Sequence, residues 1–174
     1  MEQYLSKEWR DLDENKKKII QRLSNNPEVP LGNIAQELDL KVYTYTFSSL
    51  STSGAIKLNK KTRKYEILIS RHENRRRQRF TLAHEIAHFL LHKELIGDGL
   101  SDDILYRSKL PDQKEFEANR LAADLIMPMH LILAYMKDKD PHSQETIRAL
   151  ADIFQVSDMA MSIRIEHLLR QGAI

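Results

Sequence analysis

Apolar and polar positions repeat along this chain with two different periods, and the change of period divides it. "DENKKKIIQRLSNNP" sets Ile19, Ile20 and Leu23 at helical spacing and stops where Asn and Pro break a helix. "LGNIAQELDL" predicts a second short helix. From Val42, "VYTYTFSS" alternates Val and Thr with aromatic residues, a strand pattern with two faces of different bulk. "SGAIKL" and "KYEILIS", joined by "NKKTRK", predict a hairpin. The helical period then returns. It predicts a long helix from Asn74 to His92, another from Asp112 to Met127 closed by Pro128, and two amphipathic helices hinged at "QVS" in "SQETIRALADIFQVSDMAMSIRIEHLLRQ". A Gly/Asp-rich connection fills residues 97–111.

These elements describe an α+β chain with a three-stranded sheet packed on the long helix. The expected division is a main domain over residues 1–136, with its N-terminal helices inside 1–40, and a helix-turn-helix-like helical subdomain over 140–174. A competing arrangement exists, because two short helices, a Ser/Thr-rich third segment and a hairpin also describe a winged helix-turn-helix. β-Branched residues dominate its supposed recognition helix, which favours the strand.

Composition narrows the chemistry. The 27 Lys+Arg against 25 Asp+Glu leave a net charge of +2, so whole-molecule electrostatics do not favour nucleic acid. Zero cysteines exclude disulfides, thiol catalysis and Cys-based zinc fingers. No apolar run of signal-peptide or membrane-spanning type occurs, so the expectation is a cytoplasmic protein with no membrane partner.

The polar residues inside "RFTLAHEIAHFLLH" are the strongest chemical signal. Helical residues four apart lie within about 40° of one another, so His84 and His88 can share one ion while Glu85 projects beside it. That is the HExxH pattern, in which zinc activates a water and the glutamate takes its proton. Phe80, Leu82, Ala83, Ile86, Ala87, Phe89, Leu90 and Leu91 make the helix apolar on most sides, and uncoordinated histidines there would be costly to bury. His92 lies ~12 Å along the axis from His84 and is read as structural. A third ligand from the same helix is excluded, because the metzincin pattern needs glycine at 91 and histidine at 94, where this chain has Leu91 and Glu94. "DQKEFEANRLAADLIMP" offers Glu115 and Glu117, about 160° apart. Glu115 shares the stripe of Asn119, Ala122 and Ile126, whereas Glu117 falls nearer the solvent side, so Glu115 is preferred.

"RFTLAHEIAHFLLH" followed by "EFEANRLAADLIMP" resembles the ImmA/IrrE family of small metallopeptidases. The similarity extends from about Pro30 to Leu169. It implies a zincin-like fold, Zn2+ on His84, His88 and Glu115, and Glu85 as general base. It also implies a substrate class, helix-turn-helix transcriptional repressors, whose cleavage releases genes. Ala87 stands where Gly is frequent and Leu121 where Phe is frequent, which bears on packing rather than on activity.

Other features are open. Arg71, Arg75, Arg76, Arg77 and Arg79 crowd the start of the long helix, against its dipole. One reading is a phosphate-contacting patch that senses single-stranded DNA. The preferred one is a solvated face with one or two arginines paired to the acidic "GDGLSDD" loop, Arg77 and Arg79 having structural roles. Tyr106, Arg107, His130 and Tyr135 are candidates by type for stabilising an oxyanion. The alternative to a peptidase is a DNA-binding or repressor-binding regulator, or a toxin-antitoxin component, that retains a structural metal site.

Overall fold

A computed structural model describes residues 2–96 and 112–174; the connection 97–111, with Tyr106, Arg107 and the acidic loop, lies outside the described residues. Three short helices open the chain: α1 (Lys7–Arg10), α2 (Glu14–Leu23) and α3 (Leu31–Glu37). The first two begin at side-chain caps, Ser6 accepting from the Trp9 N–H and Asp13 from the Asn15 and Lys16 N–H groups. β1 (Leu40–Tyr45), β2 (Gly54–Asn59) and β3 (Lys64–Ser70) follow. β2 and β3 form the predicted hairpin, but β3 is central: β1 pairs with it in parallel and β2 antiparallel, giving the order β1-β3-β2. The parallel pair sets aside the winged-helix alternative, whose third helix would occupy the segment that forms β1.

α4 (Arg75–Leu91) starts at Asn74, whose side chain accepts the Arg77 N–H, and ends at His92. It packs on β2 and β3 on one side and on α5 (Asp112–Ile126) on the other, so nearly all its later residues are buried. Pro128 both stops α5 and caps α6 (Met129–Met136), a helix the sequence pattern did not predict. α7 (Gln144–Phe154) ends at Gln155 in the left-handed conformation, and the cap of α8 (Asp158–Arg170), Ser157, follows two residues later. Ile147, Leu150, Phe154, Met161, Ile165 and Leu168 join the same core cluster as Ile86, Leu125 and Ile132. No described helix is long and apolar enough to cross a membrane.

β2 approaches α4 closely only because residue 54 is glycine. A Cβ there would overlap Thr81 Cγ2 and stand 3.0 Å from the Leu68 carbonyl oxygen. Thr81 lies one turn before His84, so this contact helps set where the helix sits under the sheet. Gly54→Ala is expected to cost about 1–3 kcal/mol by overpacking, read as a lower denaturation midpoint.

Candidate metal centre

Among the described residues, His84, His88 and Glu115 bring three ligand atoms within 4.8 Å of one another. His84 Nε2 and His88 Nε2 are 2.9 Å apart, and they lie 3.2 and 3.3 Å from Glu115 Oε2 and Oε1. A tetrahedral ion with bonds of ~2.0–2.1 Å separates its ligands by about 3.3 Å, so the triangle of residues has spacings close to those around a tetrahedrally bound metal ion. Glu85 is fully buried on the same helix, between the two histidines in sequence.

Hydrogen bonds outside the triangle fix what its nitrogens present. Glu117 is an acceptor, so the His92 Nε2–H donates to its Oε2 at 2.8 Å, leaving His92 Nδ1 as an acceptor. His88 Nδ1–H therefore donates to His92 Nδ1 at 3.1 Å, and His84 Nδ1–H to Asn119 Oδ1 at 2.9 Å. With both Nδ1 atoms protonated, a neutral His84 and His88 each turn an unprotonated Nε2 inward, toward the other and toward a carboxylate. Three electron-rich groups meet, and positive charge has to lie between them. A divalent cation supplies it without placing an imidazolium in a buried site.

Where protons on the facing Nε2 atoms take the place of a cation, hydrogen bonds from His84 and then His88 hold the Glu115 carboxyl well below the usual carboxylate range, so Glu115 is ionised and able to ligate at neutral pH. Burial lowers the His92 pKa below its ordinary value and keeps the ring neutral, as the hydrogen-bond chain requires. Glu117 is lowered to about 2, first by Lys114 and then by His92. Its contribution to stability is therefore complete above about pH 4.5, the ordinary value, and is lost only as pH falls toward 2.

His92 is thus structural in a specific sense, as the residue that orients His88. Glu117 is a correction to the sequence expectation. Its side chain is 17% exposed against 30% for Glu115, because His92 at the end of α4 and Lys114 draw it inward. Asn119 and the His92–Glu117 pair were missed as supporting residues. The available signal was spacing: Asn119 follows Glu115, and His92 follows His88, by one helical turn. Replacing His92 or Glu117 by alanine is expected to weaken zinc binding about 10–100-fold, measured by chelator competition.

The other candidates are dispersed. His130 borders a separate cavity with Trp9, Ile20 and Asp124, and the Tyr135 ring packs edge-on against Phe154. Neither is among the residues lining the cleft of about 1160 Å³ that contains His84 and Glu115. The arginine cluster is mostly committed. Arg75 pairs with Glu28, Arg79 donates to the Val29 carbonyl, and Arg76 pairs with Asp152 and donates to the Val156 carbonyl. Arg71 and Arg77 are exposed and have no carboxylate partner among the described residues. In α8, Arg164 is buried against Asp124 at 2.7 Å and Arg170 pairs with Glu166, which leaves that helix poor in cations for a phosphate backbone.

The family model of the IrrE N-terminal-like domain, peptidase M78, matches residues 35–166, from within α3 to within α8. Among solved structures, a Mycobacterium tuberculosis transcriptional regulator is similar with a TM-score of 0.56 and 12% identity, over 87% of this chain and 45% of that one. This chain therefore spans less than half the length of that protein, and the likeness is one of fold. No curated protein matches. The family match contains both halves of the centre, the HExxH helix and the helix that supplies Glu115, and on that basis the chain belongs to the ImmA/IrrE family and carries its metallopeptidase-like domain.

Proposed function

We propose that this protein is a zinc-dependent endopeptidase whose substrate is a helix-turn-helix transcriptional repressor. The observation that carries the catalytic part is the convergence of His84, His88 and Glu115, with outer hydrogen bonds that turn the histidine lone pairs inward, on the helix that also carries Glu85. A zinc ion held there would polarise the scissile carbonyl and acidify the attacking water.

Glu85 is the base. Its carboxylate accepts a proton from the water as the water oxygen bonds to the carbonyl carbon, and it delivers that proton to the amide nitrogen as the C–N bond breaks. Asn119 and the His92–Glu117 pair hold the two imidazoles in their orientations. The outer edge of β2 has no strand partner among the described residues, and Ser53, just ahead of it, lines the cleft. An extended substrate segment adding to this edge would lie across the centre. The repressor class rests on the family resemblance and fits a cytoplasmic regulator. Any stimulation by single-stranded DNA would have to act through Arg71 and Arg77, since Arg75 and Arg76 are paired.

The test is co-expression with a helix-turn-helix repressor encoded beside this gene, with fragments identified by mass spectrometry. Wild type should yield two fragments from one bond and Glu115→Ala none; an intact repressor with zinc-loaded enzyme would refute the substrate assignment. Repeating the assay with single-stranded oligonucleotide and with Arg71→Glu/Arg77→Glu tests the DNA arm, which fails if the rates do not change.

A further inference from the structure

Three large apolar side chains, Phe116, Met159 and Ile163, are 61%, 71% and 59% exposed, and all three line the cleft that holds His84 and Glu115. They come from two helices far apart in sequence. Phe116 directly follows Glu115 on α5, and Met159 and Ile163 are one turn apart on α8. α8 therefore has two apolar faces. Met161, Ile165 and Leu168 fill the core, while Met159 and Ile163 border open space next to the candidate metal centre. Phe80, one turn before His84, carries the apolar lining to the histidine, the two rings lying 6.4 Å apart. Side chains of this size exposed together beside a site mark a place that something apolar covers.

Charge does not select the occupant. The cations beside these three side chains are already used, Arg120 by Glu8, Arg164 by Asp124 and Arg76 by Asp152, and among the described residues lining the cleft only Arg77, which reaches Ser53, is an arginine without a carboxylate partner. Burial lowers the His167 pKa and keeps that ring neutral. DNA is a poor occupant for the same reason. What remains is surface that gains by being removed from water.

We infer that Phe116, Met159 and Ile163 form the wall of a side-chain subsite that receives a large aliphatic or aromatic residue of the substrate beside the scissile bond. This rests on the endopeptidase reading and adds to it the specificity of the cleft.

The experiment uses zinc-loaded full-length protein and four probes, the N-acetyl hydroxamates of leucine, phenylalanine, glycine and glutamate, with affinity measured by calorimetry. The hydroxamate anchors on the metal, so only the side chain varies. Leucine and phenylalanine should bind at least about tenfold tighter than glycine and glutamate, the effect of burying one such side chain. Met159→Ser/Ile163→Ser, and separately Phe116→Ser, should reduce that preference to about threefold or less while leaving zinc stoichiometry at the wild-type value. Equal affinity for all four probes, or an undiminished preference in the variants, would overturn the subsite and leave the peptidase reading standing. A protein that takes up no zinc, or takes up zinc and binds no hydroxamate, would overturn both. Light scattering supplies the remaining outcome: a wild-type dimer abolished by the α8 double variant would assign the wall to a second copy of the chain and overturn the inference.

Discussion

Glu85→Gln should keep zinc on the protein and slow peptide-bond cleavage by about 10²–10⁴-fold, the usual contribution of a positioned acid–base group. The substitution preserves size and burial, and Glu85 is not among the three convergent ligands, so the metal triangle has no reason to open. What it removes is the carboxylate proposed to carry the proton from water to the leaving amine. Glu115→Ala should act differently, losing zinc and cleavage together. Metal content by elemental analysis, set beside the cleavage rate of the same preparations, separates the two. Wild-type cleavage by the glutamine variant would end the assignment of the base, whereas regulation that survives in the variant without cleavage would favour a regulator that acts by binding.

The buried pair Arg164–Asp124 carries the largest expected effect on stability. Its members come from α8 and α5, are both buried, and meet at 2.7 Å; Asp124 Oδ2 also accepts the Ser6 N–H at 3.0 Å. Three parts of the chain are therefore tied at one carboxylate. Removing either partner strands the other charge in the core, so Arg164→Ala or Asp124→Ala should cost about 3–5 kcal/mol. At this chain length that is a fall in Tm of roughly 6–20 °C. Replacing both, as Asp124→Leu/Arg164→Met, should recover most of the loss, because the pair's attraction is largely offset by its desolvation. Denaturation of the three variants measures this, and a double variant no more stable than the singles would show that the pair contributes more than charge compensation.

Legibility followed the range of the interactions involved. Helix starts at Asn74 and Ser157 and the break at Pro128 are written in adjacent residues, and the chain obeys them. The spacing of His84 and His88 is likewise local, since one helical turn places both on a single face. Glu115 could be chosen over Glu117 from its stripe on α5, but the same reasoning misplaced Glu117. A stripe describes a helix alone, and the chemistry of the neighbouring helix is absent from it. The arginines ahead of α4 show this clearly. As a sequence they are a positive patch, whereas in the fold Glu28, Asp152 and two backbone carbonyls take up Arg75, Arg76 and Arg79.

By itself, the sequence determined most of the elements, α1 and α6 excepted, the apolar helix with its histidines and glutamate, and the family those motifs resemble, because periodicity, capping and one-turn spacing act within a few residues. Only the tertiary structure decided that β3 is the central strand with a parallel neighbour, that His92 and Glu117 orient His88 from behind, that Arg164 is a core ion pair, and that Met159 and Ile163 face the cleft beside the metal centre. Each of these depends on packing between segments distant along the chain, and contacts of that kind leave no period in the sequence.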